Sequence, residues 1–243
     1  MKTEKLTLAE EIAIMKELEQ FDTPTITNAV ATYSGSDLCL GLYDPQETDW
    51  YTDSNLRCLY PEYGPRCGFA VTCTYGMPDH TFNRLSFGDI LEAIAECEGP
   101  AILVLKGNFN EKMQARNAII GGNMMTAFKQ VGVVGAISDA PARDLEEMRP
   151  LQVQCLFHGL SAGHGTQTIQ AVNAPVEVSG MLAAPGEIIH MDANGAVKFP
   201  RKYLKQVLEK AKLTAEYDTK RQNAMKQLTD PAEIAKAMAG LYK

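Results

Sequence analysis

A chain of 243 residues, 45% hydrophobic and 22% charged, can bury roughly 70–75% of its unfolded surface without a metal or disulfide frame. Its net charge of −7 argues against general nucleic-acid binding, and no run of about 18 apolar residues offers a membrane span. Six cysteines, at 39, 58, 67, 73, 97 and 155, lack CxxC spacing; reduced, mostly buried thiols in a cytoplasm are expected. Met1-Lys2-Thr3-Glu4-Lys5 leads into a charged amphipathic stretch and has no apolar signal core.

Thr7-Leu8-Ala9-Glu10 is a capping box, and Leu8, Ile12 and Met15 follow at helical spacing, so a helix is predicted to about Gln20. Asp22-Thr23-Pro24 starts a second helix carrying Ile26, Ala29 and Val30. Residues 34–66 hold Tyr43, Trp50, Tyr51, Tyr60 and Tyr63 without periodicity, just after Tyr33, and read as a long loop, a lid or a packed interface segment. Alternation then sets in: a strand over 69–74, a helix over 86–98 stopped by Gly99-Pro100, and the apolar strand 101–105. A helix over 123–131 and a strand over 133–138 follow. Continuous apolar strands between helices imply a sheet covered on both faces. Short strands are expected at 153–157, 176–178, 187–190 and 196–199, with Asp192-Ala193-Asn194-Gly195 as a hairpin turn. The tail over 201–242 is helical, with Leu204, Val207, Leu208 and Ala211 as its stripe and Asp230-Pro231-Ala232-Glu233 capping a last helix. Residues 201–243 hold ten Lys/Arg against five Asp/Glu, a net of +5 that leaves −12 for residues 1–200. This is a solvated helix surface, or a face for a neighbouring subunit or acidic partner.

Two segments carry chemistry. Gly121-Gly122-Asn123-Met124-Met125 is a glycine turn entering a helix, whose free N–H groups suit a carboxylate or phosphate. Ala140-Pro141-Ala142-Arg143-Asp144 follows a strand, so Arg143 and Asp144 should emerge at its carboxyl end, where open α/β sheets bind ligands. A guanidinium beside a carboxylate offers a fork for an oxyanion and a hard oxygen for Mg²⁺ or Mn²⁺. A capped helix with a local salt bridge accounts for the same residues without a ligand. His164, in Ser161-Ala162-Gly163-His164-Gly165-Thr166, is a loop histidine and the first candidate for proton transfer outside these segments. His158 and His190 fall in strands and read as structural, His80 as a turn residue, and Met124-Met125 as core. No HExxH, Walker or GxGxxG spacing is present.

These residues resemble the RraA-like family, which contains the regulator of ribonuclease activity A and the class II 4-hydroxy-4-methyl-2-oxoglutarate/4-carboxy-4-hydroxy-2-oxoadipate aldolases. The resemblance rests on Gly132-Val133-Val134-Gly135 and on Gly122 followed after twenty residues by Arg143-Asp144-x-x-Glu147. It rests also on Pro185-Gly186-Glu187 leading to Asp192-Ala193-Asn194-Gly195-Ala196-Val197. It covers most of 20–200 and thins in 34–66 and after 200. It implies a three-layer α/β/β swivelling fold: one domain over 1–243 with its core at about 20–200, helical ends, and a homotrimer or hexamer with sites between subunits. It further implies that Arg143 contacts a pyruvyl group and that Asp144 ligates Mg²⁺ or Mn²⁺. By the same likeness Glu147 orders the metal's water, and Gly122, Asn123 and Met124 form the substrate cradle, with the amides of the last two on a carboxylate. Gly122 stands where such aldolases carry a carboxylate. Oxaloacetate decarboxylation needs no base to take an alcohol proton and tolerates that change.

The activity implied is a metal-dependent lyase of small 2-oxo acids, of aldolase or oxaloacetate decarboxylase type, acting through a pyruvate enolate. Two other classes share the family or site: a non-catalytic protein-binding regulator, and a sugar-acid hydratase, dehydratase or epimerase. The acidic residue after Arg143 favours the enzyme.

Overall fold

The first turn of the chain's opening helix is fixed by its cap: the Thr7 backbone N–H donates to Glu10 Oε2 at 2.7 Å, and α1 (Leu8–Leu18) follows. In this computed structural model residues 6–79 and 85–241 are described; Met1–Lys5 and His80 lie outside them. Asp22 caps α2 (Thr23–Val30), accepting from the Thr25 N–H at 3.0 Å.

The strands are β1 (Arg57–Cys58), β2 (Arg66–Gly76), β3 (Ala101–Asn108), β4 (Val133–Ser138), β5 (Gln154–Phe157), β6 (Thr168–Val172), β7 (Val176–Val178), β8 (Met181–Ala183), β9 (Ile188–Asp192) and β10 (Gly195–Phe199). Between and after them come α3 (Phe87–Ala95), α4 (Glu111–Gln114), α5 (Gly122–Gln130), α6 (Leu145–Met148), α7 (Leu204–Met225) and α8 (Pro231–Met238). The sheet order is β1-β5-β4-β3-β2-β9-β10, with β2 to β5 parallel. β2 has two partners on one edge: Arg66–Phe69 pair with β9, and Cys73–Gly76 with β6 after a register break at Thr74/Tyr75.

Beyond β10 the Thr52 N–H donates to Ala196 O at 2.9 Å and Tyr51 bridges Val197. The same segment runs on into β1, which pairs with β5 at the opposite edge. The sheet is thereby nearly closed into a barrel.

The layers follow from burial on both faces of the strands. Leu103 and Leu105 of β3 pack with Ile90 and Ile94 of α3 and Met125 and Phe128 of α5. Ile102 and Val104 face the other way, onto Val176, Val178 and Met181 of the β7–β8 hairpin. This is the α/β/β arrangement. A third core joins α1, α2 and α7 through Met15, Ile26, Leu204 and Val207 to Phe69, Ile188 and Phe199.

Trp50 and Tyr60 of 34–66 are buried, with Trp50 stacked on half-buried Tyr43, which agrees with the packed-loop reading. The basic tail meets acid within its own chain, with Arg201 on Glu11 and Lys212 on Glu17 at 2.5 Å. All six cysteines are free, and burial raises the thiol pKa of Cys58, Cys67, Cys73, Cys97 and Cys155, Cys73 being pushed up to about 12. No helix among the described residues is long and apolar enough to cross a membrane.

Candidate functional site

Three loops leave the carboxyl ends of β3, β4 and β5 and stay side by side. The Ile119 N–H donates to Pro141 O at 2.9 Å and the Arg143 N–H to Ile120 O at 3.1 Å. Ala142 in turn gives its N–H to Gly159 O at 3.0 Å and takes that of Ser161 at 2.9 Å. The parallel order of the strands thus continues past the sheet, with buried Ile119, Ile120, Ala140 and Ala142 beneath it. Backbone bonding, and not side-chain packing alone, fixes where Arg143 emerges.

Asp144 then takes a left-handed conformation, φ 60° and ψ 44°, which aspartate tolerates better than most residues. The turn swings its carboxylate away from α6, which it does not cap. Asp144 Oδ2 instead accepts the Gly122 N–H at 3.1 Å and lies 3.3 Å from Arg143 Nε.

Gly121 and Gly122 make this approach possible. A Cβ at Gly121 would collide with Asp144 Oδ2 and stand 3.1 Å from Arg143 Nε. One at Gly122 would collide with the Glu147 carboxylate and stand 2.9 Å from Glu147 Cβ. Gly121 has no side chain to cap α5, and the first helical bond runs from the Met125 N–H to Gly121 O. The leading amides of Asn123 and Met124 therefore have no partner within the helix. With the positive end of the helix dipole they have the chemistry to bind an anion.

The arrangement is a solvent-open cleft of about 70 Å³ lined by Gly121, Asn123, Met124, Arg143, Asp144 and His164, among others. Arg143 is 37% and Asp144 29% exposed at the side chain. The structure thus brings Asn123, Met124, Arg143 and Asp144 to one cleft, with Gly122 bonded to Asp144, and adds His164. Glu147 is exposed over Gly122. Met125 is core, whereas Met124 reaches the cleft. His158 lies just past β5, not in it, with Nε2 2.8 Å from Ser179 Oγ. His190 is fully buried, and burial lowers its pKa.

Sequence reading missed the supports. Tyr60 Oη donates to Leu145 O at 2.6 Å, and Tyr63 Oη to Arg149 O, while the Arg149 guanidinium lies 5.1 Å over the Tyr60 ring. These contacts hold α6, and with it the Asp144–Glu147 segment, from a strap 85 residues upstream. The aromatic cluster was the available signal, but its partner was not in the sequence pattern.

Among the described residues no three His, Cys, Asp or Glu side chains group to hold a metal by themselves. The donor set still fits one class of cation. Asp144 Oδ1 makes no hydrogen bond among the described residues, and Mg²⁺ commonly uses one or two carboxylates, completing its shell with water and substrate oxygens.

A family model described as RraA-like, aldolase/RraA, matches residues 25–198. A protein of Halalkalibacterium halodurans, provisionally named a 4-hydroxy-4-methyl-2-oxoglutarate aldolase, is 26% identical over 137 residues. That match spans 56% of this chain and 63% of the relative, so the chain covers less than two thirds of its length. An uncharacterized protein of Pseudomonas syringae pv. tomato superposes with a TM-score of 0.70 at 16% identity, covering 99% of this chain and 97% of its own. The Streptomyces coelicolor protein RraAS2, described as an unusual member of the RNase ES inhibitor RraA family, superposes at 0.63 with 18% identity, covering 93% and 99%. At such identities the two structures share the fold.

Proposed function

The chain belongs to the RraA-like family, and from that premise we propose that it is a divalent-metal-dependent lyase. It cleaves 4-hydroxy-2-oxo acids, oxaloacetate, or both, by way of a pyruvate enolate. One observation carries the reading: Arg143 and Asp144 share an open cleft with the unpartnered leading amides of α5.

The N–H groups of Asn123 and Met124 bind the substrate carboxylate. The Arg143 guanidinium donates to the 2-oxo oxygen, where negative charge develops as the carbon–carbon bond breaks. Gly122 donates to Asp144 Oδ2 and so orients the carboxylate that would hold Mg²⁺ or Mn²⁺, with Glu147 ordering water beside it. When bound, the cation supplies Lewis-acid polarisation of the ketone. A cleft of about 70 Å³ is smaller than the roughly 300 Å³ at which ligand pockets begin. We therefore read the working form as a homotrimer or hexamer in which a neighbouring copy completes the wall. A purely protein-binding regulator has no need of an aspartate held in left-handed geometry at the foot of a cleft.

The test is a panel of oxaloacetate and 4-hydroxy-2-oxo acids with Mg²⁺, read by coupled pyruvate detection. Pyruvate is released by the wild type, EDTA silences it, and Mg²⁺ or Mn²⁺ restores it. Arg143→Ala lowers turnover by about 10²–10³-fold without a change in melting temperature. Activity indifferent to chelation, or retained by Arg143→Ala, overturns the reading.

A further inference from the structure

The cleft holds one group that the Arg143–Asp144 motif does not use. His164 lines it from the loop after β5, together with Asn123, Met124 and Gln167. Its Nδ1 lies 3.0 Å from Gly165 O. A carbonyl only accepts, so Nδ1 carries the hydrogen of the neutral ring, and Nε2 bears the lone pair. Nε2 makes no hydrogen bond among the described residues.

The loop that displays this ring is anchored. Fully buried Asn117 accepts the Gly165 N–H and donates to Gln167 Oε1 at 3.4 Å. The Ala118 N–H reaches Gly163 O at 3.2 Å, and Ser161 Oγ donates to Arg116 O at 2.8 Å. A Cβ at Gly165 would stand 2.9 Å from Met113 Cε, so the chain on either side of the ring is fitted closely to residues 113–118. The charged groups that share the cleft with the imidazole are Arg143 and Asp144. Asp144 Oδ2 is already engaged by Gly122 and Arg143, and the same carboxylate is the one that would hold the cation, so Nε2 of the neutral His164 ring is the base left to the substrate.

We propose that His164 is the proton-transfer residue for aldol cleavage, a role that rests on the lyase reading above and deepens it. Nε2 takes the proton of the substrate's C4 hydroxyl. The C4–O bond becomes a carbonyl as the C3–C4 bond breaks, and the electron pair of that bond passes to C3 as the enolate of pyruvate. The imidazolium then returns its proton to C3, giving pyruvate and the second carbonyl product with atoms and charge in balance. Loss of CO₂ from oxaloacetate reaches the same enolate without an alcohol proton to remove, so it asks only for a final proton, which water supplies.

The experiment compares wild type, Arg143→Ala, His164→Ala and His164→Gln, each with Mg²⁺, on a 4-hydroxy-2-oxo acid and on oxaloacetate. His164→Ala should lose on the order of 10²–10⁴-fold in aldol cleavage and far less in decarboxylation. Its pH–rate profile should lose one limb of the wild-type profile, and added imidazole should restore part of the rate. Exchange of pyruvate methyl hydrogens in D₂O, followed by proton NMR, should fall with it. Equal losses in both reactions, or an unchanged profile with no rescue, overturn the role of His164. If the wild type releases no pyruvate, or Arg143→Ala retains activity, the lyase reading falls and this role falls with it.

Discussion

Gly122 is one of two adjacent glycines in the site and the one on which its geometry turns. Its N–H holds Asp144, and the space where its side chain would stand is filled by the Glu147 carboxylate. The chain thus keeps an acidic group beside the amides of α5 although position 122 has none. Restoring a carboxylate at that position should collide with this arrangement. Gly122→Asp is expected to lower turnover in the proposed lyase reaction by about tenfold or more and to destabilise the protein by roughly 1–3 kcal/mol through overpacking. Adding Glu147→Ala should recover part of both, as read by pyruvate release and urea denaturation; strictly additive losses would mean that the two positions are uncoupled. The spacing of Gly122 and Arg143-Asp144 was legible in the sequence because each residue type carries its own chemistry. The occupation of Gly122's space by Glu147 was not, because it depends on the left-handed turn at Asp144.

Among the elements, those with local signals were the ones the sequence disclosed. Thr7 and Glu10, Asp22, and Ser86 with Asp89 mark the starts of α1, α2 and α3, and continuous apolar runs mark β3 and β4. β1 and β6 escaped notice because two residues, or a half-exposed TIQAV, carry no period strong enough to stand without their partners. The segment 34–66 stayed open between a lid and a packed loop for the same reason: its order comes from tertiary contacts. Tyr60 shows what that order does, since its buried hydroxyl holds the Leu145 carbonyl at the start of α6. Burial chiefly keeps this phenol protonated and so able to donate. Tyr60→Phe leaves that carbonyl short of a donor and should cost about 1–2 kcal/mol. It should also loosen Asp144, so that the Mg²⁺ concentration for half-maximal activity rises while the ring packing is retained. A variant with unaltered stability and metal response would show that the strap does not position α6.

At the scale of the whole molecule, a buried histidine ties the first helices to the last hairpin. His190 Nε2 lies 3.1 Å from Leu18 O, and its Nδ1 lies 2.9 Å from Thr23 Oγ1. The carbonyl fixes the hydrogen on Nε2, and the Thr23 N–H goes to Asp192 Oδ2 at 2.8 Å. Burial outweighs the Leu18 carbonyl and the nearby Asp192, Glu19 and Asp22 charges, so the folded pKa lies below the ordinary 6.5. Below that pH the unfolded chain takes up a proton that the native state refuses, and stability is lost as pH falls. Above it the contribution is constant. Urea midpoints between pH 7.5 and 5 should therefore drop more steeply in the wild type than in His190→Gln, with a difference approaching about 1.4 kcal/mol per pH unit. Parallel slopes would place the acid sensitivity elsewhere.

The two partners of β2 have a further consequence, in the order of assembly. Its first half waits for residues 188–191 and its second for residues 168–172, so an eleven-residue strand made early in synthesis stays half unzipped until most of the chain has left the ribosome. Pairings across 92 to 125 residues are slow to close. Until the final hairpin arrives, the bare edge of β2 is open to pairing with another nascent chain.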